Sequence, residues 1–158
     1  RNSTYLMSSG FDSQGPTAFV WNLTASDPST NPIVLRGHQS DIREVAISSD
    51  GRWAATAGWD NKTLLWDLKS QNRDKPTKEL LFSDRASAVA FSPDDRWLVT
   101  TSADGSLYVV DMNAPNQEYS PIYGHRGRIL QLEFRRDGQR FITIGEDQTI
   151  SQPLNLGQ

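Results

Sequence analysis

The chain has 158 residues, a formal net charge of −3 and no cysteine. At this length a single domain buries about 68–70% of its unfolded surface, enough for a real core. Zero cysteines exclude a disulfide framework and thiol catalysis. The interspersed, mildly acidic charge offers no basic stripe for nucleic acid, and no run of 18 apolar residues predicts a membrane span.

The start, RNSTYLMSSG, lacks the basic and apolar regions of a signal peptide and opens without methionine. It predicts a cytoplasmic, cysteine-free chain that is a piece of something longer or a processed product. Tyr5-Leu6-Met7-Ser8 reads as a strand, Asp12 as a turn, and Thr17 to Trp21 as a second strand. Ala25 to Pro32 is a polar loop with two prolines, and Ile33-Val34-Leu35 a further strand. Gly37-His38 follows. Val45 and Ile47 then alternate with Glu44, Ala46 and Ser48, the period of a half-buried strand. Ser49-Asp50-Gly51 is turn chemistry, Trp53 to Gly58 a second run, Asp60-Asn61 another turn, and Thr63-Leu64-Leu65-Trp66 a third run closed by Asp67.

This unit, from Gly-His to Trp-Asp with an aspartate in its last turn, resembles the WD40 repeat family, whose units build β-propellers. The resemblance implies an all-β fold of antiparallel four-stranded blades. Residues 1–36 are then a partial blade, 37–82 a complete one, 83–123 a degenerate one and 124–158 a second partial one. About three and a half blades fall short of the four to eight that close a ring. The chain is therefore expected to be part of a seven- or eight-bladed propeller, closed by the remaining blades of a longer chain or by a second copy.

The resemblance also implies a structural network in each blade. In the complete blade it comprises His38, Thr56, Asp60 and Trp66, a set in which indole only donates, carboxylate only accepts, and hydroxyl and imidazole do both. The matching positions are Ser8, Asp12 and Trp21 in the first blade, Thr100 and Asp104 in the third, and His125, Thr143 and Asp147 in the fourth. Asp12 stands nine residues before Trp21, against six from Asp60 to Trp66, so the first turn carries a three-residue insertion. Phe82 replaces the third histidine and Val110 the third tryptophan, which predicts a blade held by packing alone. Pro153 replaces the fourth tryptophan and should stop that strand near Gln152.

Both histidines sit in Gly-His pairs without metal-ligand spacing, and the carboxylates Asp12, Asp60, Asp104 and Asp147 recur once per repeat, as scaffold does. No nucleophile elbow, phosphate loop or dinucleotide fingerprint is present, so no enzyme activity, metal or cofactor is expected. Asn2, Asn22 and Asn61 begin Asn-x-Ser/Thr triplets, which chance and turn formation explain.

What remains is recognition. In the family, partners dock on positions three and five after the Gly-His histidine and just before the turn aspartate. These are Asp41, Arg43 and Trp59, then Arg85, Ser87 and Ala103, then Arg128, Leu130 and Glu146, with Phe11 from the first blade. The expected function is a protein- or peptide-binding scaffold, with no nucleic-acid or membrane partner. The Asp-Gly-Arg-Trp turns and the Leu-Thr-Ala-Ser-Asp-Pro linker further resemble repeats of bacterial multidomain signalling proteins, which implies a regulatory or recruiting part. The alternative is a carbohydrate-binding propeller, which would need an aromatic residue at the Trp59 position of every blade.

Overall fold

The computed structural model describes residues 4–72, 74–152 and 156; Asn2 and Pro153 lie outside them. Among the described residues, fourteen strands form four antiparallel sheets, each wound from consecutive strands. The first holds β1 (Tyr5–Asp12), β2 (Gly15–Asn22) and β3 (Ile33–Arg36). The second holds β4 (Ile42–Ile47), β5 (Trp53–Gly58), β6 (Lys62–Asp67) and β7 (Lys78–Leu81). The third repeats that plan with β8 (Ala86–Phe91), β9 (Trp97–Ser102), β10 (Ser106–Asp111) and β11 (Ile122–Tyr123). The fourth has β12 (Ile129–Phe134), β13 (Phe141–Gly145) and the two-residue β14 (Ile150–Ser151). The all-β, open-ended arrangement of blades is the expected one.

The blades stack face to face, and this explains a sequence feature that simple alternation does not. All six residues of β5 are buried, because each of its faces meets a neighbouring blade. Ala54 packs with Ala18, Val20, Leu35, Leu64 and Trp66, whereas the next residue, Ala55, joins Leu65, Leu80, Val89 and Leu98 on the other side. Leu98 and Val99 divide in the same way, Val99 joining Leu107, Ile129 and Phe141. The alanines of β5 keep the sheet thin where two blades close on it.

The extra residues of the first hairpin do not form a looser turn. They lengthen both strands, since Phe11 pairs with Pro16 and Asp12 with Gly15, leaving a two-residue turn. Asp12 there accepts from the Gln14 backbone N–H and from the Arg36 side chain. Asn61 serves the last turn of the second blade with a φ of 66°, and Thr63 of its triplet is buried with its hydroxyl on Thr100, 2.7 Å away.

A polar clasp joins the second and third blades at the turns that follow their innermost strands. Gly51 takes positive φ in the second blade's turn, as Gly138 does in the fourth, and Asp95, with φ of 58°, does the same in the third blade. Aspartate tolerates this left-handed conformation better than most residues. Its carboxylate then accepts from the backbone N–H groups of Ser49 at 2.8 Å and Asp50 at 3.0 Å in the blade before. Asp95→Gly keeps the backbone conformation and removes only the carboxylate. It should lower stability by about 1.5–3 kcal/mol, the scale of a hydrogen bond to a charged group, with the slope of a urea melt unchanged.

Candidate functional site

Two layers make up the site: a buried network that fixes the loops, and side chains those loops present. In the second blade Trp66 is fully buried and its Nε1–H donates to Thr56 Oγ1 at 3.1 Å. Thr56 Oγ1 lies 2.7 Å from His38 Nε2, and His38 Nδ1 lies 2.9 Å from Asp60. Asp60 also accepts the Gln39 backbone N–H at 2.8 Å. Chemistry orients the whole chain. The carboxylate takes the hydrogen of Nδ1, so Nε2 is the acceptor and the Thr56 hydroxyl donates to it while accepting from the indole. No member is left unsatisfied, the condition under which a buried network stabilises rather than costs.

The fourth blade builds a variant. His125 Nε2 meets Thr143 Oγ1 at 2.8 Å, and Nδ1 meets Asp147 at 3.1 Å and Thr149 Oγ1 at 2.9 Å. Thr149 ties itself to Asp147 at 2.7 Å, a member that the spacing of Gly-His and aspartate did not suggest. The backbone N–H of Arg126 and the hydroxyl of Thr149 hold Asp147 far below the usual carboxylate range.

In the third blade, packing is joined by polar bonds, against the expectation of packing alone. Phe82 fills the histidine place and meets Tyr108 edge to face at 5.0 Å, while the Tyr108 hydroxyl donates to Leu81 O at 2.8 Å. Thr100 bonds Thr63 and the Ala88 carbonyl. Asp104 accepts from Ser83 and Ser106, so its carboxylate still ties the incoming loop to the turn. Burial pushes the Asp104 carboxyl up, and the hydrogen bonds from Ser106 and Ser83 outweigh it, leaving it below its ordinary value. In the first blade the expected trio does not assemble. Ser8 is exposed opposite Phe19, Trp21 stacks on Phe19 at 5.7 Å, and Asp12 engages Arg36. With no histidine in the described part of this blade, nothing links hydroxyl to carboxylate.

A glycine accompanies each histidine. A Cβ at Gly58 would fall 2.4 Å from His38 Nδ1 and 2.7 Å from Asp60, and one at Gly145 would fall 2.5 Å from His125 Nδ1. In the third blade, where the histidine is gone, Ser102 occupies the same register and bonds the Asp84 carbonyl.

Above the networks, one backbone bond recurs three times. Trp59 N donates to Asp41 O, Ala103 N to Arg85 O and Glu146 N to Arg128 O, each at 2.9 Å. The ladder slips just after each of these points. Between Ile42 and Glu44, Ala86 and Ala88, and Ile129 and Gln131 the register shifts, leaving Arg43, Ser87 and Leu130 as the extra residues. A bulged residue is released from strand alternation and re-aimed. Two adjoining grooves result. One, of about 230 Å³, brings Trp59, Arg85, Ala103, Arg128 and Glu146 together. The other, of about 350 Å³, lies along the innermost strands between Arg43, Arg128 and Leu130, and Ser87 and Arg128 line both. Trp59 is 42% exposed, with the Arg85 guanidinium 5.0 Å above its ring. Asp41 is exposed beside them. Phe11, 66% exposed at the tip of the β1–β2 hairpin, lines neither groove. Trp53 and Trp97 pack in the blade interfaces instead, each under a neighbouring arginine at 4.9 Å.

The family profile described as "WD domain, G-beta repeat" matches residues 29–67 and 77–111. The chain belongs to the WD40-repeat family. Relatives carry the same likeness. Small ribosomal subunit protein RACK1 of Dictyostelium discoideum is 39% identical over 59 residues, 35% of this chain and 18% of that protein. Cross-pathway control WD-repeat protein 2 of Flammulina velutipes is 38% identical over 60 residues, 37% of this chain and 19% of the relative. MST50-interacting protein 11 of Pyricularia oryzae is 38% identical over 69 residues, or 42% and 21%. The matched part of the chain thus spans about a fifth of each curated relative. These relatives are eukaryotic, and the likeness to bacterial signalling repeats rests on turn and linker sequences alone. The profile ends at residue 111, yet the WD40 histidine network recurs beyond it at His125. Among the described residues no group of three or more His, Cys, Asp or Glu side chains is placed to hold a metal ion, and no helix is long and apolar enough to cross a membrane.

Gly58→Ala should cost about 1–3 kcal/mol, the usual penalty of overpacking, read as a lower thermal midpoint, while Ser102→Gly should cost less. The acidic limb of stability follows from the depressed carboxyls. Since folding lowers the affinity of Asp147 and Asp104 for protons, their contribution is full above the ordinary aspartate value of about 4 and is lost as pH falls below it. Urea midpoints measured from pH 7 downward should decline less steeply for Asp147→Asn than for the parent chain.

Proposed function

We propose that this WD40 segment is a non-catalytic scaffold that presents its bulge-lined face to a protein or peptide partner. The observation that carries the reading is the convergence of Trp59, Arg85, Arg128 and Glu146 on one groove, from three different blades. An exposed tryptophan under a guanidinium has the composition of an interface anchor. Asp41, Arg43 and Leu130 extend the surface. The names of the relatives speak of a ribosomal subunit and of an interacting protein, contexts of assembly rather than chemistry. Aromatic residues do not repeat around the face, where Ala103 and Glu146 stand in the Trp59 position, so a sugar-stacking role finds no support.

The parent protein works in the cytoplasm as a regulatory or recruiting part, and further blades of a longer chain complete the ring. Ile150 at 71% and Leu6 at 55% exposure, on the last and first blades, fit faces that meet more protein. Affinity capture with Trp59, Arg43 and Arg128 all changed to alanine should lose the partners retained by the parent, and undiminished capture would reject this face. Light scattering on the isolated chain should give a monomer that binds a hydrophobic dye; a discrete dimer would mean that two copies close the ring.

A further inference from the structure

We propose that the groove from Trp59 to Arg128 recognises a single carboxylate side chain, Asp or Glu, in an extended segment of the partner. The inference rests on the face reading above and names the chemistry that the face selects.

The arginines are the starting point. Arg36, Arg52, Arg96 and Arg135 each approach an aspartate of this chain, namely Asp12, Asp67, Asp111 and Asp137. Arg43, Arg85 and Arg128 form no such pair among the described residues, although acidic residues stand close to them. Two neighbouring acids instead bond to backbone N–H groups. Asp84 accepts the Arg85 backbone N–H at 2.7 Å, and Glu44 accepts the Val89 N–H at 2.9 Å in the next blade. Three guanidinium groups on one face, none of them in an ion pair with a carboxylate among the described residues, offer charge complementarity to an outside acid.

Geometry narrows the ligand. The Arg85 guanidinium carbon lies 5.0 Å from the centre of the Trp59 ring. Its planar fork of N–H donors matches the two oxygens of a carboxylate, and the contact with the ring restricts the side chain, so less freedom is lost on binding. Arg128 and Ser87 line this groove and the adjoining one. Glu146 sits in the groove as well, and Asp41 is exposed at its tryptophan end. Those two carboxylates repel a second negative charge. One acid is accepted and a polyanion is rejected, discrimination that comes from the repulsive element as much as from the attractive one.

The test is a peptide array of random unphosphorylated decamers probed with the full chain, followed by affinity measurements on the selected sequences. An acid at a fixed position should be enriched. Changing it to the amide, or changing Arg85→Gln or Arg128→Gln, should each weaken binding about tenfold or more. Arg85→Lys should recover only part of the loss, because lysine lacks the planar fork. Far-ultraviolet circular dichroism and thermal midpoints of the variants should match the parent, since Arg85 is exposed and Arg128 half-buried. If the amide binds within twofold of the acid while Trp59→Ala still abolishes binding, the carboxylate inference falls and the face reading stands. If binding survives Trp59→Ala and both arginine changes, or if no acidic position is enriched, the inference is overturned; the former outcome removes the face as well. Equal binding of a thymidine 20-mer with the same arginine dependence would also overturn it, by showing a general polyanion site.

Discussion

An indole N–H can donate one hydrogen bond and accept none, and Trp66 is buried where water cannot take it. Everything in the second blade follows from meeting that single demand. Thr56 satisfies the indole, His38 satisfies Thr56, and Asp60 satisfies His38 while holding the Gln39 backbone. The chain of donors runs from the outer part of the blade to the loop that enters its innermost strand. Cutting it anywhere strands a polar group in a dry place, which is why it behaves as one unit and not as three separate bonds.

The other blades show how far that unit can be rebuilt. Where proline replaces the tryptophan in the sequence, Thr149 adds a third oxygen to the histidine's surroundings. Where the histidine is missing, Phe82 and Tyr108 supply an aromatic contact and Ser83 brings the loop to Asp104. The first blade uses an arginine from its outer strand to hold Asp12. In each case the aspartate of the turn is kept and its partner changes. The carboxylate is the constant because several N–H and O–H donors of a tight turn converge on it, and they hold the carboxyls of Asp12, Asp104 and Asp147 below the ordinary aspartate value.

Much of this was legible in the residues. The Gly-His and Trp-Asp pairs, spaced by alternating apolar runs, carried a family resemblance that implied blades and the His38 network. The face positions followed from counting out from the histidine. Two things were not legible. Hairpin extension and turn insertion have the same length in a sequence, so the lengthened β1–β2 hairpin passed for a looser turn. Hydroxyl and carboxylate groups that rescue a degenerate blade look like ordinary surface residues, as Ser83 does. A further signal does stand in the residues. Glycine accompanies histidine at Gly58 and Gly145 and gives way to Ser102 where histidine is absent, because a Cβ and an imidazole cannot share that space.

The register slips at Arg43, Ser87 and Leu130 separate two kinds of change. Elsewhere in a strand a side chain has a paired neighbour opposite and a fixed face, so altering it alters the packing of a blade. At the slipped position neither constraint applies, and a long cation, a small hydroxyl and a branched aliphatic all occupy it over the same local ladder. Such a position can diversify while the scaffold beneath stays unchanged. A family built on it can acquire new binding preferences without first having to solve its folding problem again.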